Sequence, residues 1–567
     1  MKTKSIYKWG VSLLSLCLFT GCFNLDEEVF SEITEASFIP TEQDIASVLA
    51  KAYQPMRQFY DWYGEFDAQE EPADVIITPE RPTGWVDGGI YLRNHQHKWT
   101  PRDGHVTGPY GRSINGVNNT NRIVAQIESG ALPFTDENQK DIMLTELRAI
   151  RAFWYSRLLD THGNVPIVTD FTDTTVPLQS TRQQVYDFVT SELEAVIASG
   201  LLSEEVNANT YGRLNVWAAY MTLARVYLNA GVYTGTPQWQ KALDAAQKVI
   251  DSGKYQLSAD YSDNFKVSTD YTNKEIIWAI PHDAVYAPFL MYRKWFASGW
   301  GRAFGNSWGG WSGSCANPQF INSYTNIREG EENKLISDDK RFEKTWINGN
   351  QYQDFPSITG TVLFCPINHV PAMTAPTVPA PTPDNPNATK KDVSENYGLR
   401  VGKFEARNQP STSVWANDVP FIRYAETLMI KAECLLRMGT REEEAAALVS
   451  QIRARAFDDP AQATVDAAYL KGNTVMKYGT LDLNGNIDVP GDQTPVVLGG
   501  LYDELGWEFA CEMQRRQQMI RFGTFTTKNW FNHVAEPGNE YRTLFPFTYN
   551  VLNTNQNMKQ NPGYPSE

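Results

Sequence analysis

Cysteine is scarce in this chain, with six in 567 residues, and Cys315, Cys365, Cys434 and Cys511 lie far apart with no CxxC pair. That spacing argues against a zinc site and a dense disulfide framework, leaving open a single Cys315–Cys365 bridge. GxSxG, HExxH, the P-loop and a GxGxxG ahead of a helix are all missing, so no signature of an enzyme, a metal site or a cofactor stands out. Positive charge is in short supply as well. Fifty Lys and Arg against 66 Asp and Glu give a formal charge of −16, a field that repels phosphate backbones and excludes nucleic acid as a natural partner. Past the first residues, no apolar stretch approaches the ~20 residues that a membrane-spanning helix needs.

The one apolar run is at the start. Lys2, Lys4 and Lys8 precede Val11 to Phe19, and Thr20-Gly21-Cys22 follows. A basic opening, a short apolar core and small residues ending at cysteine describe an export signal, residues 1–21, cut before a thiol that accepts lipid. Cys22 is then the lipidated mature N-terminus. Phe19 stands where bacterial lipoprotein signals usually carry Leu, and the alternative is an ordinary secreted chain. The run Asp26-Glu27-Glu28 suits a solvated tether or the acidic tag of a lipoprotein flipped to the outer face of an outer membrane.

Helical periodicity dominates the rest. Ala219, Leu223, Ala224, Tyr227 and Leu228 are followed, past Gly231, by Ala242, Ala246, Val249 and Ile250. Ala425, Leu428, Ala432, Leu435 and Leu436, then Gly439, then Ala445, Leu448 and Ile452 repeat the arrangement. Small residues facing large ones at this spacing look like tetratricopeptide helix pairs, with further candidates at Leu144–Leu159 and from Ile45. The separation of the pairs along the chain argues against a contiguous solenoid. Between them lie irregular segments at 60–118, 282–320 and 350–420, including the Pro-rich tract Pro371–Pro386.

Among candidate chemistry, His95-Gln96-His97 on a strand-like segment would place two imidazoles on one face, with no third ligand nearby. Asp482, Asn484, Asn486 and Asp488 alternate as in a calcium loop, but Gly485 comes too early and no Glu follows at the twelfth position, so a hairpin turn is the better reading. Tryptophan is the remaining signal, at 16 residues. Trp295, Trp300, Trp308 and Trp311 crowd into a stretch broken by Gly299, Gly301, Gly305, Gly309 and Gly310, a composition that predicts irregular backbone with exposed indoles. A second wall holds Trp85, Asp87, Tyr91, Arg93, Asn94 and Trp99. From these the expected ligand-binding residues are Trp85, Asp87, Tyr91, Arg93, Trp300, Trp308 and Trp311. Aromatic faces with polar neighbours suit sugar rings. Arg93 could read a uronate, against the alternative of a surface ion pair.

The chain resembles the SusD/RagB family of outer-membrane, surface-exposed nutrient-binding lipoproteins. The resemblance rests on Glu146–Thr169, Gly212–Gly231, Asp418–Gly439, Ile452–Ala456 and Leu501–Phe525, in matching order and spacing across residues 22–567. The last element departs from the family pattern at Gln517 and Gln518, while Glu512, Arg515, Arg516 and Arg521 keep its charges. With Glu504 and Glu508 they read as a structural ion-pair lattice. Arg423 with Glu426, and Glu146 with Arg148 and Arg151, read as helix-to-helix ties. The resemblance implies a mostly α fold: tetratricopeptide-like helix pairs packed against an irregular, loop-rich lobe, with an N-terminal part at 22–280 and a C-terminal part at 281–567. It further implies a non-catalytic protein without cofactor, lipid-anchored on the cell surface, that binds oligosaccharide and hands it to a SusC-like TonB-dependent transporter. A peptide-binding RagB-like member and an all-α glycoside hydrolase are the alternatives.

Overall fold

The computed structural model describes residues 42–79, 81, 85, 87–297, 300–331, 334–352, 362–364, 398–482 and 484–566. The export signal, Cys22, Cys365 and the Pro-rich tract lie outside the described residues. The fold is mostly α, as expected. Local sequence sets the helix ends: Asp136 accepts the Asn138 N–H ahead of Glu137–Thr161, and Thr181 and Gln184 form a capping box on Arg182–Ala198. Asn215 caps Val216–Leu228, and Tyr424–Met438 stops at Gly439, whose φ of 64° favours glycine.

Seven helices pack in sequence order, each on the next: Gly104–Glu128, Glu137–Thr161, Arg182–Ala198, Val216–Leu228, Trp239–Asp251, Tyr424–Met438 and Glu442–Arg453. The helix pairs that sequence spacing had kept apart are therefore neighbours. Trp239–Asp251 lies directly on Tyr424–Met438. The intervening chain leaves the stack as strand Ile276–Ile280 and returns as Val419–Arg423, and these two strands pair antiparallel. A paired strand closes the excursion, so helices far apart in the chain become neighbours without a contiguous repeat. The lobe built by that excursion carries short two-stranded ladders, among them Ile76–Ile77 with Cys315–Ala316 and Trp346–Ile347 with Arg400–Val401.

The ion-pair lattice sits where helices and lobe meet. Arg423 reaches Glu275 at 2.6 Å, Glu508 at 3.1 Å and Glu512 at 2.7 Å, and Arg341 reaches Asp339 at 2.6 Å and Glu504 at 3.0 Å. Arg515, Arg516 and Arg521 fasten the helix Arg515–Arg521 to Asp74, Asp160 and Glu433. Burial raises the Glu508 carboxyl, but Arg455, Arg423 and Arg341 outweigh it and hold it at about 2. Two of the expected ties change partner: Glu426 binds Arg225, and Glu146 binds Arg213, while Arg148 and Arg151 share Glu192.

His95 ends the short helix Ile90–His95 and is not on a strand. Both histidines are buried: the His95 ring nitrogens face the carbonyls of Glu71 and Phe531, and His97 Nε2 faces that of Pro72. Among the described residues no cluster of three His, Cys, Asp or Glu could hold a metal ion. Asp482 accepts the N–H groups of Asn484 and Asn486 while Leu481 bridges Ile487, the geometry of a turn. No described helix is long and apolar enough to cross a membrane.

Candidate functional site

The tryptophan-rich stretch divides between core and surface. Trp300 and Trp308 are 0% and 2% exposed, which overturns the expectation of open indoles at those positions. Trp308 packs edge-on to Tyr292, Phe296 and Trp415 at centroid distances of 5.4, 5.1 and 5.3 Å. The glycines explain the reversal. A Cβ on Gly301 would lie 2.3 Å from the Trp308 carbonyl oxygen, and one on Gly310 would lie 1.9 Å from that of Phe296. They let the segment fold back on itself with backbones in contact, so glycine here marks close packing.

Trp311 is the member that emerges, at 41% exposure. The fold-back holds it: the Trp311 N–H donates to the Arg293 carbonyl at 2.6 Å, Ser312 to Phe296 at 2.9 Å and Gly313 to Lys294 at 2.8 Å. Trp62 stacks on Trp311 with centroids 4.9 Å apart and planes 22° from parallel. Trp85 lies 6.3 Å from Trp311, and Tyr63, exposed at its edge, stacks on Tyr91 at 6.0 Å. These rings form a continuous aromatic shelf from four chain segments. Trp62 and Tyr63 were not singled out in the sequence; the signal was an aromatic pair followed by Gly64 inside an irregular region, and no periodicity set it apart.

The shelf rests on buried charge. Lys294, fully buried in the short helix Tyr292–Trp295, donates to Asp67 at 2.7 Å and to Glu71 at 2.5 Å. Its ammonium lies 3.7 Å from the Tyr91 ring centroid and 5.8 Å from that of Trp85. The Tyr91 hydroxyl donates to Asp67 at 2.7 Å, and Thr78 and Ser314 donate to Glu71. Burial pushes the Glu71 carboxyl up, with Lys294 offsetting part of the rise. Burial, Lys294 and Arg93 drive His105, against Tyr91, down to about 3. That imidazole stays neutral across the physiological range.

The remaining expected site residues play supporting parts. Tyr91, 1% exposed, presents no open face, and Trp85 is 8% exposed. Asp87 accepts the Trp85 indole N–H at 2.9 Å and the Gly89 N–H at 2.8 Å, which fixes the start of the Ile90–His95 helix. Arg93 pairs with Asp103 at 3.3 Å and donates to the Gly88 carbonyl, so its guanidinium is committed to the protein. Trp85, Asp87, Tyr91, Arg93 and Trp311 are thus brought together at one place, and Trp300 and Trp308 lie in the packing behind it.

Comparison with known proteins follows the same outline. Residues 252–564 match the profile of the SusD family, and residues 25–228 match one described as starch-binding associating with outer membrane. Across its full length and that of the relative, the chain is 25% identical to the starch-binding protein SusD of Bacteroides thetaiotaomicron. The solved structure of B. fragilis NanU superposes with a TM-score of 0.67 at 19% identity, covering 95% of this chain and all of the other. Surface glycan-binding protein A of B. thetaiotaomicron, in complex with laminarihexaose, gives 0.63 at 17% identity over 92% of this chain and all of the other. Sequence order, helix stack and family match agree: the chain belongs to the SusD family.

Proposed function

We propose that the protein is a lipoprotein of the outer-membrane surface, anchored at Cys22 after loss of residues 1–21, that captures oligosaccharide on the Trp62–Trp311 shelf. It then passes the sugar to a SusC-like TonB-dependent transporter. The observation that carries this reading is an exposed indole, Trp311, stacked on half-buried Trp62 and held in place by backbone hydrogen bonds. Pyranose C–H faces stack on such rings at roughly 1 kcal/mol each, and a few hydrogen bonds then give affinities of ~µM to mM. Weak binding of that order suits capture followed by release.

A binder is favoured over a glycosidase by what the nearby acids do. Asp67 and Glu71 hold Lys294, and Asp87 holds Trp85 and the Ile90–His95 helix, so these carboxylates are spent on structure. A carbohydrate array probed with the wild-type protein and with Trp311→Ala tests the reading. Oligosaccharide binding that disappears in the variant supports it, and release of reducing ends by the purified protein would contradict it. Co-purification with the barrel encoded beside it tests the hand-off.

A further inference from the structure

Among the arginines that border the aromatic shelf, Arg112 and Arg93 are used up. Arg112 donates to the backbone carbonyls of Trp62 and Tyr63, and Arg93 is held by Asp103 and the Gly88 carbonyl. Arg293 differs. Its Nε donates to the Tyr292 hydroxyl at 3.2 Å, and its guanidinium carbon lies 5.9 Å from the Trp311 ring centroid and 5.8 Å from that of Tyr292. Among the described residues, neither terminal nitrogen of Arg293 has an acidic partner or a hydrogen bond.

The anchoring of Arg293 makes this more than a loose surface cation. Tyr292 is fully buried, stacked on Trp415 at 4.8 Å with planes 8° apart, and its hydroxyl donates to the Ser413 carbonyl. The Nε edge of the guanidinium is therefore fixed from below, and half-buried Arg293 presents its remaining two nitrogens beside the face of an exposed indole. A planar fork held in this way matches an anionic oxygen pair, and the ordering cost is partly met before binding. Carboxylates close to the shelf do not compete for it: Asp87 is engaged by Trp85, Gly89 and Tyr91, and Asp61 accepts the Trp62 N–H and faces Arg112. In a chain of net charge −16, where buried Arg341, Arg423 and Arg455 are each matched to acids, a guanidinium without an acidic partner at the ligand shelf stands out.

We infer that the shelf selects acidic oligosaccharides: a pyranose stacks on the exposed Trp311, which Trp62 backs, while an anionic group on the same or the next residue, a carboxylate or a sulfate ester, is read by Arg293. This inference rests on the oligosaccharide-binding role proposed above and adds the ligand class to it. It also gives the acid-reading role to Arg293 and not to Arg93, for which the sequence had weighed that role against the surface ion pair that Arg93 makes with Asp103.

Isothermal titration of the protein with oligogalacturonate, oligoalginate and a sulfated galactan oligosaccharide, each beside its carboxyl-reduced or desulfated counterpart, tests the assignment. At least one acidic ligand should bind tenfold or more tightly than its neutralised counterpart, and the uronate and sulfate arms tell the two anions apart. Arg293→Met should erase that preference while leaving the weaker neutral binding, Arg293→Lys should restore part of it, and Trp311→Ala should remove both. Equal binding of every acidic ligand and its neutral form, with Trp311→Ala still inactive, would overturn the acidic selectivity and leave the shelf standing. A preference unchanged in Arg293→Met would overturn the role of Arg293. Binding unaffected by Trp311→Ala would overturn the shelf itself.

Discussion

Trp308 and Trp311 are three residues apart, share the same glycine-rich surroundings, and end in opposite environments. One ring is sealed among Tyr292, Phe296 and Trp415; the other stands in solvent against Trp62. The difference comes from backbone approach. Gly301 and Gly310 allow main chain to touch main chain, which draws Trp300 and Trp308 inward, and the Trp311 N–H bond to Arg293 holds the next ring at the edge. Glycine beside an aromatic residue therefore reports contact with something close, and only the fold decides whether that is protein or water.

The largest expected effect falls on the inner ring. Trp308→Ala should cost about 3–5 kcal/mol of stability by leaving a cavity among packed aromatics, measured by denaturant unfolding. Lys294→Met should be comparable, about 3–5 kcal/mol, since it strands Asp67 and Glu71 in the interior. Because the Glu71 carboxyl is raised, that loss should shrink as pH falls and the acid takes up its proton. Gly310→Ala should cost about 1–3 kcal/mol, as the new methyl must displace the Phe296 carbonyl, and should loosen Trp311. Trp311→Ala should change stability by no more than about 0.5 kcal/mol while removing oligosaccharide binding. An outer ring whose loss unfolds the protein would break the comparison.

Smaller effects separate the buried ionisable groups. His97, His105 and His162 are lowered to about 3, chiefly by burial. Between about pH 3 and 6.5 the unfolded chain binds protons that the folded chain does not, so stability should climb through that window. Glu70 is displaced the other way, raised to about 7 by burial against the N–H bonds that lower it. The folded form keeps its proton where the unfolded form has lost it, so this carboxyl lowers stability as pH rises from about 4.5 to 7. Glu70→Gln keeps an acceptor for the Gln514 N–H and should gain on the order of 1 kcal/mol at pH 8 relative to pH 5.

The helix pairs around Val216–Asp251 and Tyr424–Arg453 were legible because their causes are local, whereas Gly104–Glu128 starts inside the 60–118 segment read as irregular and Arg182–Ala198 was not read. Alanine and leucine spacing and the stop at Gly439 lie within a few residues of what they determine. The charged pattern of Leu501–Phe525 was legible as well, since a Glu and Arg series so dense needs partners; which partners it takes depends on distant segments such as Asp74 and Asp160. The shelf was half legible. Trp85 and Trp311 were named from composition, whereas Trp62 joins them only because the chain before Gly64 folds across to the 311 segment. Lys294 gave no sign at all: a lysine between Arg293 and Trp295 reads as surface until Asp67 and Glu71 are brought to it.

The most direct test of the account is oxidative labelling of tryptophan, read residue by residue by mass spectrometry, with and without a bound oligosaccharide. Trp311 should label readily in the free protein and be protected by the ligand, with Trp62 following in part, while Trp300 and Trp308 stay unlabelled in both states. Labelling of Trp311 that a bound oligosaccharide leaves unchanged would contradict the account.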